Sequence, residues 1–235
     1  MTPGPTSGDP AVSESETVVD MTDKPVFSET PEEREFELRA AVGSYWTGGR
    51  LLIGMFTFLF ASEAFAYFYL KSANSGDLWR PGNVTAPTGL GWAIFALVVA
   101  AAALAIYGQW KLRAGSLLDW EVSGWVAVGG LLLALGLQIY QLTQLPFFPG
   151  SSGYASTFIG WAVMNIILLV CGAYWLETNL ALCLRLKRID PEAGTPATSS
   201  GPAAQLFRAN VEACTYFFGF MAVISALFWV FFYLL

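Results

Sequence analysis

Five apolar runs, each about 20 residues or longer, dominate the sequence after residue 48. A helix of about 20 residues is long enough to cross the hydrocarbon core of a bilayer. The chain is 55% hydrophobic and 13% charged, whereas soluble chains average about 25% charged residues. We therefore predict an all-α integral membrane protein, a bundle of five transmembrane helices. The runs occupy residues 50–71, 91–110, 122–145, 154–184 and 211–235.

The first run contains a single carboxylate, Glu63. At about 1.5 Å per residue, Glu63 lies roughly 18 Å along the helix from Leu51, near the bilayer midplane. An ionised carboxylate at that depth costs at least about 2.5 kcal/mol, so we expect Glu63 to face other helices. It would be protonated there, or hydrogen-bonded to Ser62 or Tyr67. Two interpretations stay open: a neutral acid that holds helices together, or a proton-exchanging or gating site.

Histidine is absent, and the three cysteines are Cys171, Cys183 and Cys214. Imidazole is a common ligand of haem, zinc and copper, so its absence argues against a metal site or a redox centre in this chain. The cysteines form no CxxC pair and are interpreted as small apolar helix residues. A nucleic-acid partner is not expected, because the sequence contains no basic patch.

The first 48 residues differ from the rest in composition. Residues 1–29 are rich in Thr, Ser, Pro, Gly and acidic residues, which predicts a disordered acidic tail. Thr30-Pro31-Glu32-Glu33 has the form of a capping box with proline at the first helical position. Residues 30–48 are therefore predicted to be a short surface helix, ending near Ala41, and an interfacial segment. The transmembrane domain then covers residues 49–235.

The cations predict the orientation of the chain. With five spans, the termini lie on opposite sides, and ten of the 12 Lys and Arg residues fall on the N-terminal side. Only Lys71 and Arg80 fall on the other side. The positive-inside rule then places the N-terminus in the cytoplasm and the C-terminus outside. The loop at residues 189–206 is rich in Pro, Gly, Ser and Thr and is predicted to be a flexible linker that detaches the last span.

Polar residues inside the spans are predicted to join helices. Gln138 and Gln141 lie one turn apart on the third span, and Asn165 lies on the fourth. Such side chains usually hydrogen-bond between helices, each bond contributing about 0.6–2 kcal/mol. This structural interpretation is favoured over a transport pathway, because none of the runs has the interior proline of a broken transporter helix.

Other positions suggest packing or contacts at the membrane surface. Glu212 begins the fifth apolar run beside Arg208, so stabilisation of a helix N-terminus is its simplest interpretation. Glu212, Arg208 and Trp79 are also candidate contacts with lipid or with a partner. Four glycines of the third run are small enough to let helix backbones approach: Gly124, Gly129, Gly130 and Gly136.

Several motifs together suggest a family. The run at residues 58–67, FLFASEAFAY, resembles the Ser-Glu span of subunit III of haem-copper cytochrome c oxidases. Residues 79–81, Trp-Arg-Pro, are similar to that family's Trp-Pro-Pro outer loop. Further similar segments follow in the family's order: Leu137-Gln138 with Gln141, residues 153–158 (GYASTF), and residues 211–213 (VEA). The likeness covers residues 48–235 and matches the five-span form of the family.

The resemblance implies a function. Family members carry no metal, pack against the catalytic subunit I, which holds haem and copper, bind phospholipid between their helices and support proton uptake and stability. By this likeness the chain would be part of a proton-translocating oxidoreductase of the aerobic respiratory chain, in a bacterial inner membrane, without a catalytic residue of its own. Glu63 falls at the family's intramembrane carboxylate, and Glu212 falls at a family glutamate.

The departures from the family leave alternatives open. Asn165 and Leu168 stand where the family has two histidines, and Gly219 and Ala222 stand where it has a His and an Asp. A divergent branch is therefore also considered, including the subunit-III-like accessory proteins of nitric oxide reductases. A second alternative, from another class, is a small proton-coupled transporter that uses Glu63 as its coupling site.

Overall fold

The computed structural model describes residues 30–74, 78–189 and 195–235, and within them every regular element is helical. The five long helices are all long and apolar enough to cross a membrane, which confirms the predicted bundle. The predicted tail at residues 1–29 lies outside the described residues. The elements are α1 (Pro31–Ala73), a 3-10 turn (Pro81–Asn83), α2 (Thr88–Arg113), α3 (Leu117–Thr143), α4 (Gly153–Ile189), α5 (Pro202–Trp229) and a π-helical turn (Val230–Leu234).

Helix α1 differs from its prediction, because it runs without a break for 43 residues. It begins at Pro31 with Thr30 as N-cap, as the capping box suggests. The Thr30 hydroxyl, however, donates to the Glu33 carboxylate at 2.5 Å instead of bonding to the main chain. A separate surface helix ending near Ala41 was wrong: no proline interrupts the segment up to Arg50, and Gly43, Gly48 and Gly49 lower its helix propensity without ending the helix.

The last helix also starts earlier than its apolar run. α5 begins at Pro202, and the Arg208 guanidinium donates to the main-chain oxygens of Pro196, Ala197 and Ser199 at 3.3, 3.4 and 2.8 Å. These bonds fold residues 195–201 back onto α5. α5 packs against α1, α2 and α4, so the predicted detachment of the last span is wrong.

Most of the glycines predicted to allow close approach between helices do not do so. Only Gly124 of the four lies against a neighbouring helix, where a Cβ atom would come within 2.9 Å of the Leu180 side chain. Gly129, Gly130 and Gly136 have open space around the Cβ position. Inter-helix packing in membranes depends on van der Waals contact, because lipid tails are as apolar as the helices. Between α1, α4 and α5, aromatic side chains contribute to that contact.

The bundle has two ends. The ends of α1, α3 and α5 and the starts of α2 and α4 form its C-terminal end, and the opposite termini form its N-terminal end. These two names are used below.

Candidate functional site

Glu63 lies where α1 passes α4. Its side chain is half-buried, and its carboxylate rests on Gly160 of α4, where a Cβ atom would lie 3.0 and 3.1 Å from the two oxygens. The missing side chain at Gly160 therefore leaves the room that the carboxylate occupies. We call this place the Glu63 groove; Gly160 and Ser62 beside it are also partly or fully exposed on the exterior of the bundle.

The expected local partners of Glu63 are engaged elsewhere. Ser62 donates its hydroxyl proton to the Phe58 oxygen at 2.9 Å, within its own helix. Tyr67 donates to the Phe231 oxygen at 2.7 Å. Within residues 30–74, 78–189 and 195–235 no side chain hydrogen-bonds to the Glu63 carboxylate. Glu63 thus faces another helix, as expected, but the bond to Ser62 or Tyr67 was wrong.

Gln138, Gln141 and Asn165 form one chain of hydrogen bonds. Asn165 of α4 donates to Gln138 of α3 at 3.0 Å, and Gln138 donates to Gln141 at 3.0 Å. Gln141 then donates to the Pro87 oxygen at 3.2 Å and to the Tyr233 hydroxyl at 2.6 Å. All three amides are fully buried, so each would be left without a hydrogen-bond partner if these bonds were not made. The three residues therefore join α3, α4, the start of α2 and the C-terminal turn.

This chain of bonds predicts a coupling between Asn165 and Gln138. Either residue replaced by leucine is expected to lower the free energy of unfolding by about 1 kcal/mol, because its partner amide is left unpaired. The double variant is expected to lose less than the sum, with a coupling of about 0.6–2 kcal/mol. Unfolding of purified variants in mixed micelles measures these values. The control combines Asn165→Leu with Gln144→Leu, since Gln144 is exposed, and the losses of the two single variants should add. Equal coupling energies in both pairs would contradict the hydrogen bond between Asn165 and Gln138.

Trp79 is placed differently from its prediction. Only 7% of the residue is exposed, and its ring packs edge-on against Tyr67 and Tyr154, with centroids 5.1 and 6.1 Å away. The Tyr154 main-chain N–H also donates to the Trp79 oxygen at 3.2 Å. Trp79 therefore holds the loop after α1 onto α4, and a contact with lipid or a partner is wrong for this side chain.

Three side chains cap the π-helical turn that follows α5, at the C-terminal end of the bundle. The last carbonyls of a helix have no partner within it and must be satisfied from outside. Tyr67 donates to the Phe231 oxygen at 2.7 Å, Tyr154 to the Phe232 oxygen at 3.1 Å, and Lys71 to the Leu235 oxygen at 2.9 Å. These roles were not predictable from the sequence, because each bond joins residues far apart in the chain and no local pattern marks it.

Glu212 is not at the start of a helix but in the third turn of α5. It accepts two hydrogen bonds from Arg113 of α2, from Nη2 at 2.9 Å and from Nε at 3.2 Å. Arg208 instead binds the main chain of residues 196–199. The predicted stabilisation of a helix N-terminus by Glu212 is therefore wrong, and Glu212 pairs α5 with α2.

An open groove of about 560 Å³ lies beside this pair, between α1, α2 and α5. Apolar side chains line most of it, and the Arg113–Glu212 pair lies at the N-terminal end of the bundle. Its dimensions and chemistry suit an acyl chain with a charged headgroup. The groove is lined by residues that include Trp46, Ile53, Ile106, Gly219, Phe220 and Val223.

The cysteines are free and separate in the structure. Cys183 donates to the Glu121 carboxylate at 3.2 Å, and that carboxylate also pairs with Lys187 at 2.5 Å. In the part of the chain that the structure describes, no three His, Cys, Asp or Glu side chains are grouped so that they could hold a metal ion.

Comparisons with protein-family models and with curated proteins give no match for this chain.

Proposed function

We propose that the chain is subunit III of a terminal haem-copper oxidase, a subunit without redox chemistry that packs on the catalytic subunit. The oxidase would transfer electrons from cytochrome c to oxygen, with haem and copper in the partner subunits. The ordered likeness of residues 48–235 to that family is the basis of the proposal. The proposed location is a bacterial inner membrane, with the N-terminus in the cytoplasm.

Among the structural observations, the Glu63 groove supports this proposal best. A carboxylate deep in a span is costly unless it is protonated or has a polar partner. Glu63 has no hydrogen-bond partner within the described chain, and it lies at an edge where a further helix or a lipid can cover it. A subunit that completes a larger complex explains this placement, since the partner then provides what the chain lacks.

The groove between α1, α2 and α5 is the proposed phospholipid site. Arg113 and Glu212 would contact the headgroup, while the apolar walls would hold an acyl chain. In this role the chain binds lipid, shields the catalytic subunit and supports proton uptake through Glu63.

Purification of the tagged chain from its native membrane in mild detergent tests the proposal. Haem spectra and mass spectrometry identify what is bound. An oxidase catalytic subunit with haem and copper would support the proposal, and a nitric oxide reductase subunit would support the accessory-protein alternative. A colourless chain that purifies alone and carries protons in liposomes would overturn both and favour the transporter.

Glu63→Gln is expected to leave assembly of the complex intact, because glutamine has nearly the same volume and needs no charge in the membrane. Proton uptake or the number of turnovers before inactivation is expected to change, since glutamine cannot exchange the proton. Stopped-flow proton uptake and activity over time measure both. Glu32→Gln, in the exposed first turn of α1, is the control. Unchanged kinetics in Glu63→Gln would count against a role in proton uptake.

A further inference from the structure

We propose that a pocket beside Arg80, at the C-terminal end of the bundle, binds a phosphate group. The pocket has a volume of about 190 Å³, which suits a small anion or a lipid headgroup better than a whole lipid. It lies between the turn after α1 and the loop before α4. We call it the Arg80 pocket, and its lining includes Arg80, Pro81, Phe148, Ser151, Ser152 and Tyr154.

Arg80 is a cation without an anion among the residues that the structure describes. Its guanidinium carbon lies 4.5 Å from the centroid of the Tyr154 ring. Its Nε atom is buried and has no hydrogen-bond partner there. Buried donors of charged groups are nearly always satisfied by a partner, by water or by an ion. Arg80 as a whole is partly exposed and lines the pocket, so an anion there would pair with the charge of its guanidinium.

The nearest carboxylate in the sequence, Asp77, lies outside the described residues. Pairing of Arg80 with Asp77 is the rival to a bound anion. Substitution of Asp77 distinguishes the two.

Two serine hydroxyls add to the anion-binding character of the pocket. The Ser152 oxygen accepts the Ala155 N–H at 3.1 Å, which leaves its own hydroxyl proton for another acceptor. The Ser151 side chain is exposed and makes no hydrogen bond to the described residues. Among the residues that the structure describes, no Asp or Glu lines the pocket, and the positive end of the α4 dipole lies beside it. Arginine and hydroxyl donors together are a common combination for phosphate.

The phosphate could come from a phospholipid of the adjoining leaflet or from solution. Phe148 is 70% exposed at the mouth of the pocket, and Arg80 follows the end of the span, at the level of lipid headgroups. The recognised chemistry, a phosphate oxyanion, is the same for both sources. Two probes distinguish them.

The experiment uses the full chain purified in a phospholipid-free detergent. Equilibrium dialysis with inorganic phosphate measures binding from solution, and native mass spectrometry with added phosphatidylglycerol measures bound lipid. Arg80→Gln is expected to weaken binding of the recognised probe at least about tenfold, because the charged donor is lost. Ser151→Ala, an exposed position that does not disturb folding, is expected to weaken it about threefold.

Arg50→Gln is the matched control, since Arg50 also stacks on an aromatic ring, that of Trp46 at 5.8 Å, but lies at the opposite end of α1's span. It should leave the Arg80-dependent binding unchanged. Binding of phosphatidylglycerol without binding of inorganic phosphate identifies a lipid headgroup as the ligand. Binding of inorganic phosphate identifies a phosphate from solution as the ligand. The proposal is overturned if the wild-type chain binds neither probe, if Arg80→Gln binds as the wild type does, or if binding arises only after Asp77→Asn.

Discussion

Replacing Trp161 by alanine is expected to lower the free energy of unfolding by about 3 kcal/mol. Trp161 lies on α4 and is 1% exposed. Its ring contacts Phe60 of α1, Phe231 of the π-helical turn and Phe228 of α5, with centroids 5.3, 5.3 and 6.1 Å away. The unfolded helices also remain in lipid, so the loss comes from packing and from the cavity, not from transfer to water. Unfolding in micelles with a rising fraction of denaturing detergent measures this value.

Trp125→Ala is the control for Trp161. Trp125 lies on α3 and is 50% exposed, so its removal should change the free energy of unfolding by less than about 1 kcal/mol. Equal losses for the two tryptophans would mean that the aromatic contact between α1, α4 and α5 does not hold the bundle together.

Replacing Gly91 by valine is expected to destabilise the protein by about 2 kcal/mol or more. A Cβ atom at Gly91 would overlap the Tyr233 ring. This ring cannot retreat without breaking the 2.6 Å bond between its hydroxyl and Gln141. The substitution therefore strains the C-terminal turn and the buried amides at once. The same unfolding measurement checks it.

Gly89→Val provides a matched comparison, because Gly89 lies in the same first turn of α2 and has open space around its Cβ position. Both substitutions change helix propensity alike, so only the contact with Tyr233 differs. Combining Gly91→Val with Tyr233→Leu should recover part of the loss. If Gly89→Val and Gly91→Val destabilise equally, the close packing of Tyr233 on α2 is wrong.

The length and apolar character of each run predicted the five spans. Unpaired backbone groups are costly in lipid, and a helix pairs all of them within one segment. The start of α1 could be predicted from Thr30 and Pro31, because helix capping also depends on residues that are neighbours in sequence. The ends that extend beyond the membrane were not readable from hydropathy. α5 begins at Pro202 because Arg208 binds the preceding turn, and a hydropathy window does not detect such bonds.

For the site residues too, local features were predictable and contacts between distant residues were not. The depth of Glu63 follows from counting residues, and its contact with another helix follows from the cost of a lipid-facing carboxylate. The contact between Glu63 and Gly160 could not be predicted, because no local sequence pattern indicates which residues of two different helices meet. Glu212 shows the same limit: Arg208 is near it in sequence, but its partner Arg113 is 99 residues away. Trp79 resembled an exposed loop residue, and only the rings of Tyr67 and Tyr154 explain its burial.

The proposed function requires a catalytic subunit to cover the Glu63 groove. A photo-crosslinking phenylalanine analogue at Ala66, which is partly exposed one turn after Glu63 on the same side of α1, tests this most directly in native membranes. The same analogue at Tyr140, which is 53% exposed on α3, is the control. We predict an adduct between position 66 and a haem-containing oxidase subunit, and none or a different one from position 140. Adducts from position 66 only with lipid, or with another copy of this chain, would contradict the proposed function.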